Sequence, residues 1–397
     1  MIYVHVPFCR SFCTYCDFYS EVALKCRKED EALKQEALFE RFAQSLLAEV
    51  RERGHEIKDE VNTLYIGGGT PSVLPLSVYG RLVKTLENLG CRMPFDEFTI
   101  EVNPEDIVDK GPGYVEGLME LGVNRVSMGV QSFDDSILKW MNRRHTASTA
   151  VKAYRMIEDA GMENISVDLI FGLPQLSDSL WHDTLLKTLE ISSKGVLPRH
   201  ISSYQLSVEP GSMLAKLVDK GRWEEASDEM CGRQYDILCE TLSSVGYSHY
   251  EISNFALPGY EARHNSAYWR HVPYVGFGPG AHSYLPVGVE DVETCGGRRQ
   301  WNADDLEAYL AAGESGDFSP LRGGECLDRE QMTMEKVMLG LRTSAGLPED
   351  FLRSHCRVEA LNEALRCGNL LILQDGNIRI PENRFFISDN IISEIVL

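Results

Sequence analysis

The chain has 397 residues, 43% hydrophobic and 25% charged, a composition that supports a sizeable core and excludes collagen-like, coiled-coil and disordered classes. Its 39 basic against 60 acidic side chains leave a net charge of −21, which repels phosphate backbones and anionic headgroups at long range and disfavours nucleic acid as a partner. No run of 18 apolar residues occurs and the first residues carry neither a basic nor a long apolar region, so no transmembrane helix or leader is expected, and a cytoplasmic location is the simplest expectation.

In chain order, β-rich runs at 2–6, 61–66, 97–102, 124–130, 164–170 and 200–208 alternate with stretches of helical apolar spacing at 29–53, 75–90, 112–122, 134–161 and 178–193. Gly90, Gly122 and Gly161 stand where helix C-caps belong. Repeated βα order with right-handed crossovers makes a parallel sheet. Six units fall two short of a closed eight-stranded barrel, so the expected fold is α/β, a partial (β/α)6 barrel over residues 1–210. Residues 211–324 extend it less regularly, with helices near 224–246 and 304–312 and a Gly-rich loop at Gly276–Gly280. Helical stretches at 328–342, 348–354 and 357–366, then β-like runs at 370–374 and 377–380, predict a smaller winged-helix-like α+β domain over 325–397.

Functional groups in such sheets gather after the C-terminal strand ends. There the sequence places Phe8 to Cys16, Gly67-Gly68-Gly69-Thr70-Pro71, Asn103-Pro104, Gln131-Ser132 and Gly172-Leu173-Pro174. Cys9-x-x-x-Cys13-x-x-Cys16 packs three thiols into eight residues. Structural zinc takes four ligands, and no Cys or His completes a close quartet here. Three thiolates suit a 4Fe-4S cubane whose fourth iron stays open to another molecule. The other cysteines, Cys26, Cys91, Cys231, Cys239, Cys295, Cys326, Cys356 and Cys367, are expected to be buried small hydrophobes or free thiols rather than disulfide partners. The Gly67–Pro71 run lacks the Lys of a phosphate-cradling loop and reads as a tight turn or a close backbone approach to a ligand. Glu101, Gln131, Arg143 and Asp168 fall at or beyond strand ends, where a carboxylate or guanidinium can meet a ligand or simply be solvated.

The cysteine triplet, with Tyr15 before its third member, resembles the signature of radical S-adenosylmethionine enzymes. That resemblance implies a 4Fe-4S cluster on Cys9, Cys13 and Cys16, S-adenosylmethionine chelated to its open iron, a reductant for the cluster, and a 5′-deoxyadenosyl radical on cleavage. Tyr3-Val4-His5-Val6-Pro7-Phe8-Cys9, the Gly67–Pro71 run, Glu101-Val102-Asn103-Pro104, Ser127-Met128-Gly129-Val130-Gln131-Ser132-Phe133 and Asp168-Leu169-Ile170-Phe171-Gly172-Leu173-Pro174 are similar to one branch. It comprises the oxygen-independent coproporphyrinogen dehydrogenases and their haem-chaperone relatives. By that similarity Tyr3, Tyr15, Gly68, Gly69, Thr70, Glu101, Gln131, Arg143 and Asp168 line the S-adenosylmethionine site.

Three features lean towards the chaperones. The dehydrogenases carry a further cysteine where this chain has Phe18, and a long N-terminal extension is expected to be absent. His264-Asn265-x-x-Tyr268-Trp269 matches the HNxxYW motif of the chaperones, offering an imidazole for haem iron and rings for a porphyrin face. The same residues also read as a His–aromatic cluster packed under the Gly-rich loop. The resemblance thus implies haem as ligand and haemoproteins as recipients; porphyrinogen decarboxylation, and radical chemistry on another substrate, stay open.

Overall fold

The computed structural model describes residues 1–22, 29–58, 60–286 and 295–396. Six parallel strands follow chain order: β1 (Ile2–Val6), β2 (Thr63–Gly68), β3 (Glu97–Val102), β4 (Arg125–Gln131), β5 (Ile165–Phe171) and β6 (His200–Gln205). Each expected strand is present, β1 and β3 with the expected ends and the others with ends moved by up to three residues. Three short strands extend the sheet at its edges: β7 (Ser248–Glu251), β8 (Asn254–Ala256) and β9 (Val275–Phe277), in the order β9-β1-β2-β3-β4-β5-β6-β8-β7. Strand β9 joins β1 in parallel, while β8 meets β6 antiparallel, so the six-unit core carries additions from later in the chain on both sides.

Strand parity builds both the core and the site. Successive side chains point to opposite faces, so residues two apart share one. On one face Val4, Val6, Leu64, Ile66, Phe98, Ile100, Val126, Met128, Val167 and Leu169 are buried in the hydrophobic core. Each large aliphatic side chain there contributes about 1.5–3 kcal/mol by leaving water. On the other face Tyr65, Glu101, Ser127, Asp168, Ser202 and Tyr204 line an interior cavity. A one-residue slip of any strand would exchange these two sets, and the lost burial sets the register.

The helices are α1 (Glu29–Arg53), α2 (Leu76–Asn88), α3 (Pro104–Lys110), α4 (Pro112–Glu120), α5 (Asp135–Trp140), α6 (Ala147–Asp159) and α7 (Asp178–Leu189). Later come α8 (Met213–Asp219), α9 (Asp228–Ser244), α10 (Arg263–Trp269), α11 (Leu306–Ser315), α12 (Arg329–Gly340), α13 (Glu349–His355) and α14 (Val358–Arg366). In α2 the buried Val78, Tyr79, Leu82, Thr85 and Leu86 recur at helical spacing, which is why this segment covers the sheet. The stretch expected as one helix over 134–161 is two. Asp134 caps α5 by accepting from the Ser136 and Ile137 amides, Thr146 caps α6 by accepting from Thr149, and Asn142 between them adopts φ 58°. That interruption delivers Arg143 to the cavity.

A separate antiparallel sheet joins residues 282–286, 297–302 and 322–327, and a small one joins 347–348, 377–379 and 371–372 beside α13 and α14. The expectation of unpaired scattered cysteines needs one correction. Cys295 and Cys326 form a disulfide with Cα atoms 5.4 Å apart, brought together by the 297–302 and 322–327 pairing. Cys26 lies outside the described residues. No described helix is long and apolar enough to cross a membrane.

Candidate functional site

The C-terminal ends of β1–β6 enclose a cavity of about 410 Å³. Cys9, Cys13 and Cys16 line it as free, half-buried thiols on the loop after β1. This loop is tied to the end of α5: the Thr14 amide donates to Met141 O at 3.1 Å, the Thr14 hydroxyl to Trp140 O at 2.9 Å, and Asn142 Nδ2 to Phe12 O at 2.7 Å.

Around the thiols runs a circuit of polar contacts from four separate loops. Cys9 Sγ lies 3.4 Å from Thr70 Oγ1, Asn103 Nδ2 donates to Thr70 Oγ1 at 3.1 Å, Arg143 Nη2 donates to Asn103 Oδ1 at 2.7 Å, and Arg143 Nη1 reaches Cys13 Sγ at 3.5 Å. Arg143 Nη2 also donates to Gly129 O at 2.7 Å, fixing the guanidinium plane. Burial pushes the Cys9 thiol up and the Cys16 thiol up to about 12, so iron has to displace their protons, with Arg143 supplying a compensating positive charge. Among the described residues no three His, Cys, Asp or Glu side chains are arranged around one ion. A cubane asks for something different, one thiolate on each of three irons, and three thiols on one loop with an adjacent cation fit that donor set.

Deeper in the cavity the strand-parity residues form a polar wall. Tyr65 donates its hydroxyl to Glu101 Oε1 at 2.7 Å and the Gly68 amide donates to Oε2 at 3.2 Å. Burial, reinforced by the nearby Asp168 charge, pushes the Glu101 carboxyl up to about 7 against those hydrogen bonds. Asp168 is raised by burial too, although Ser127 donates to it at 2.8 Å and Ser166 at 3.1 Å. Gln131 sits at the β4 bulge with φ 68°, a costly conformation for a side chain of this kind and one that concentrates at functional sites.

Tyr15, Gly68, Gly69, Thr70, Glu101, Gln131, Arg143 and Asp168 all line this one cavity with the three cysteines. Tyr3 does not. It lies behind Tyr65, with its hydroxyl 3.1 Å from His5 Nδ1. The glycines have a reason the sequence reading did not supply. A Cβ on Gly68, at φ 105°, would come 2.6 Å from the His5 ring, and one on Gly69 would come 2.7 Å from Phe8 O. They are small because β1 and its loop cross directly over them. Asn103, Tyr65, Ser127 and Tyr204 were not singled out as site residues; the inward parity of their strands, and the Asn-Pro after β3, were the available signals.

The HNxxYW segment is helix α10, and it plugs the opposite end of the barrel. The backbone amides of Arg263 and His264 donate to the Glu97 carboxylate at 2.7 and 3.0 Å, at the start of β3. His264 is 1% exposed, with Nδ1 2.8 Å from Thr63 Oγ1 and Nε2 3.1 Å from Tyr268 Oη. Burial lowers its pKa to about 3, so the ring is neutral and both nitrogens are engaged. This arrangement matches the packed His–aromatic cluster, not an imidazole presented to an iron. Trp269 faces the buried Glu251, and Asn265 alone of the four motif residues lines the cavity, as part of its floor.

The family model described as the Radical SAM superfamily matches residues 3–187. The chain is 33% identical over 346 residues to "Heme chaperone HemW" of Synechocystis sp., covering 87% of this chain and 78% of that protein. Against the protein of the same name in Bacillus subtilis it is 33% identical over 349 residues, covering 87% and 84%. "Radical S-adenosyl methionine domain-containing protein 1, mitochondrial" of Danio rerio is 30% identical over 407 residues, covering 100% and 86%. Among solved structures, coproporphyrinogen III oxidase (HemN) from Escherichia coli superposes with a TM-score of 0.73 at 21% identity, covering 99% of this chain and 89% of that one, which is a likeness of fold. The cysteine loop, the polar-walled barrel and these relatives together place the chain in the radical SAM superfamily, within the HemW haem-chaperone branch.

Proposed function

We propose that this protein is a haem chaperone that holds a 4Fe-4S cluster on Cys9, Cys13 and Cys16, binds S-adenosylmethionine in the barrel cavity, and carries haem to recipient haemoproteins. The observation that carries this reading is the three-thiol loop facing a polar cavity in a chain one-third identical, over most of its length, to proteins named heme chaperone. Bound in such a site, a reduced cluster would supply one-electron reducing power toward a sulfonium ligand. The chain's own groups do the positioning. Arg143 and Thr70 hold Cys13 and Cys9 in place through their polar contacts, while Glu101 and Asp168 offer carboxyl oxygens to the ligand's hydroxyl and ammonium groups. The closed floor at α10 and the apolar outer face of the sheet keep bulk water from that wall.

Phe18, where the related dehydrogenases have a cysteine, is the residue that favours a carrier over a decarboxylase. An anaerobic haem titration of the cluster-reconstituted chain tests the proposal. Saturable binding near one haem per chain, with transfer to an apo-haemoprotein, is the expected result. Conversion of coproporphyrinogen III in step with 5′-deoxyadenosine release would overturn it in favour of the dehydrogenase.

A further inference from the structure

Resting on the haem reading above, we propose that haem lies across the outer rim of the barrel mouth, on Phe12 and Phe18 of the cluster loop with Arg144 as the partner of a propionate. Phe12 and Phe18 are 52% and 61% exposed, and both line the mouth of the cavity. Two exposed aromatics on one loop cost solvation and mark a binding surface rather than a core. At about 410 Å³, the cavity sits near the small end of ligand sites, and the cluster and S-adenosylmethionine already claim it. A rigid macrocycle therefore has its place over the opening and not inside it.

One cation on the rim can meet a carboxylate of a flat apolar ligand. Arg144 is exposed, lines the same opening and forms no ion pair among the described residues, whereas Arg10 is held by Asp106 and Asp109 and Arg143 by Asn103 and Gly129. The hydrogen bond from Asn142, two residues before Arg144, to Phe12 O ties the cluster loop to the segment that carries Arg144. Two carboxylates share the rim: Glu209 accepts from the Ser207 hydroxyl, and Asp17 turns propionates away from its own side and towards Arg144. His264, buried and doubly hydrogen-bonded at the far end of the barrel, does not face this mouth.

A haem so placed covers the mouth of this cavity, so it also slows exchange of S-adenosylmethionine. The test uses the full-length, cluster-reconstituted chain and three variants: Phe18→Ala, Phe12→Ala with Phe18→Ala, and Arg144→Ala. Haem affinity is expected to fall about tenfold with Phe18→Ala and further in the double variant, because stacked aromatic faces are lost. With Arg144→Ala it is expected to fall a few-fold, in a manner that disappears at high salt. Haem is also expected to slow release of labelled S-adenosylmethionine about tenfold in the native chain and not in the double variant. The changed side chains are exposed, and an unaltered cluster spectrum checks that each variant is intact. Native-strength haem binding by the intact double variant overturns the rim site and leaves the chaperone reading standing. Absence of haem binding by the native chain overturns both.

Discussion

Replacing Asn103 by Leu should loosen the cluster more than any other single change outside the cysteines. The side chain sits at the centre of the polar circuit, donating to Thr70 at 3.1 Å and accepting from Arg143 at 2.7 Å. A hydrogen bond from a charged group is worth about 1.5–3 kcal/mol and a neutral one about 1 kcal/mol, so the lost stabilisation is about 3 kcal/mol. Leu keeps the branched shape, and Arg143 retains Gly129 O, so the fold should survive while Arg143 and Thr70 lose their fixed approach to Cys13 and Cys9. At about 1.4 kcal/mol per decade, this corresponds to cluster loss about a hundredfold faster under an iron chelator. The assay is anaerobic reconstitution, iron and sulfide per chain, and decay of the cluster absorption after chelator addition. Thr70→Val should be weaker, and the double variant less than additive, because the two share one hydrogen bond. A native decay rate in Asn103→Leu would refute the idea that this circuit holds the thiols.

Three further outcomes follow from the same geometry. Glu101, with its folded pKa raised from 4.5 to about 7, holds its proton more tightly when folded, so its contribution to stability is full below about pH 4.5 and is lost as pH rises to 7. Glu101→Gln should therefore flatten the fall in the ligand-free chain's denaturation midpoint over that window, an effect on the order of 3 kcal/mol, and parallel pH curves would contradict it. Gly69→Ala puts a Cβ 2.7 Å from Phe8 O, a backbone atom with little room to retreat, and should cost about 1–3 kcal/mol, read as a lower melting temperature; an unchanged one would count against the close crossing. His264→Phe strands the Thr63 and Tyr268 hydroxyls and should lose about 2 kcal/mol of stability while haem affinity holds, whereas a collapse of haem affinity with stability intact would restore His264 as an iron ligand.

What the sequence by itself determined was local and periodic. The cysteine spacing singled out the loop proposed to hold a cluster, and alternation in runs such as Ile165–Phe171 specified a strand with one apolar face and an inward Asp168. The βα order predicted the parallel sheet, and relatives of the same pattern carry the family assignment. What only the tertiary structure decided is every pairing across the barrel. Cys9, Thr70, Asn103 and Arg143 come from four loops spread over more than a hundred residues, and no pattern within any one of them encodes the others. The helical spacing of 134–161 could not show that two side-chain caps would break it and swing Arg143 inward. HNxxYW could be read as a haem site or as a packed cluster because residue types carry chemistry but not location. Its position at the floor is set by Glu97 and Thr63, about 160 to 200 positions earlier, whose strand starts meet α10 only once the sheet has curled. Backbone periodicity is a short-range property of the chain, whereas the contacts that make a site depend on sheet curvature and register, which the whole core enforces together.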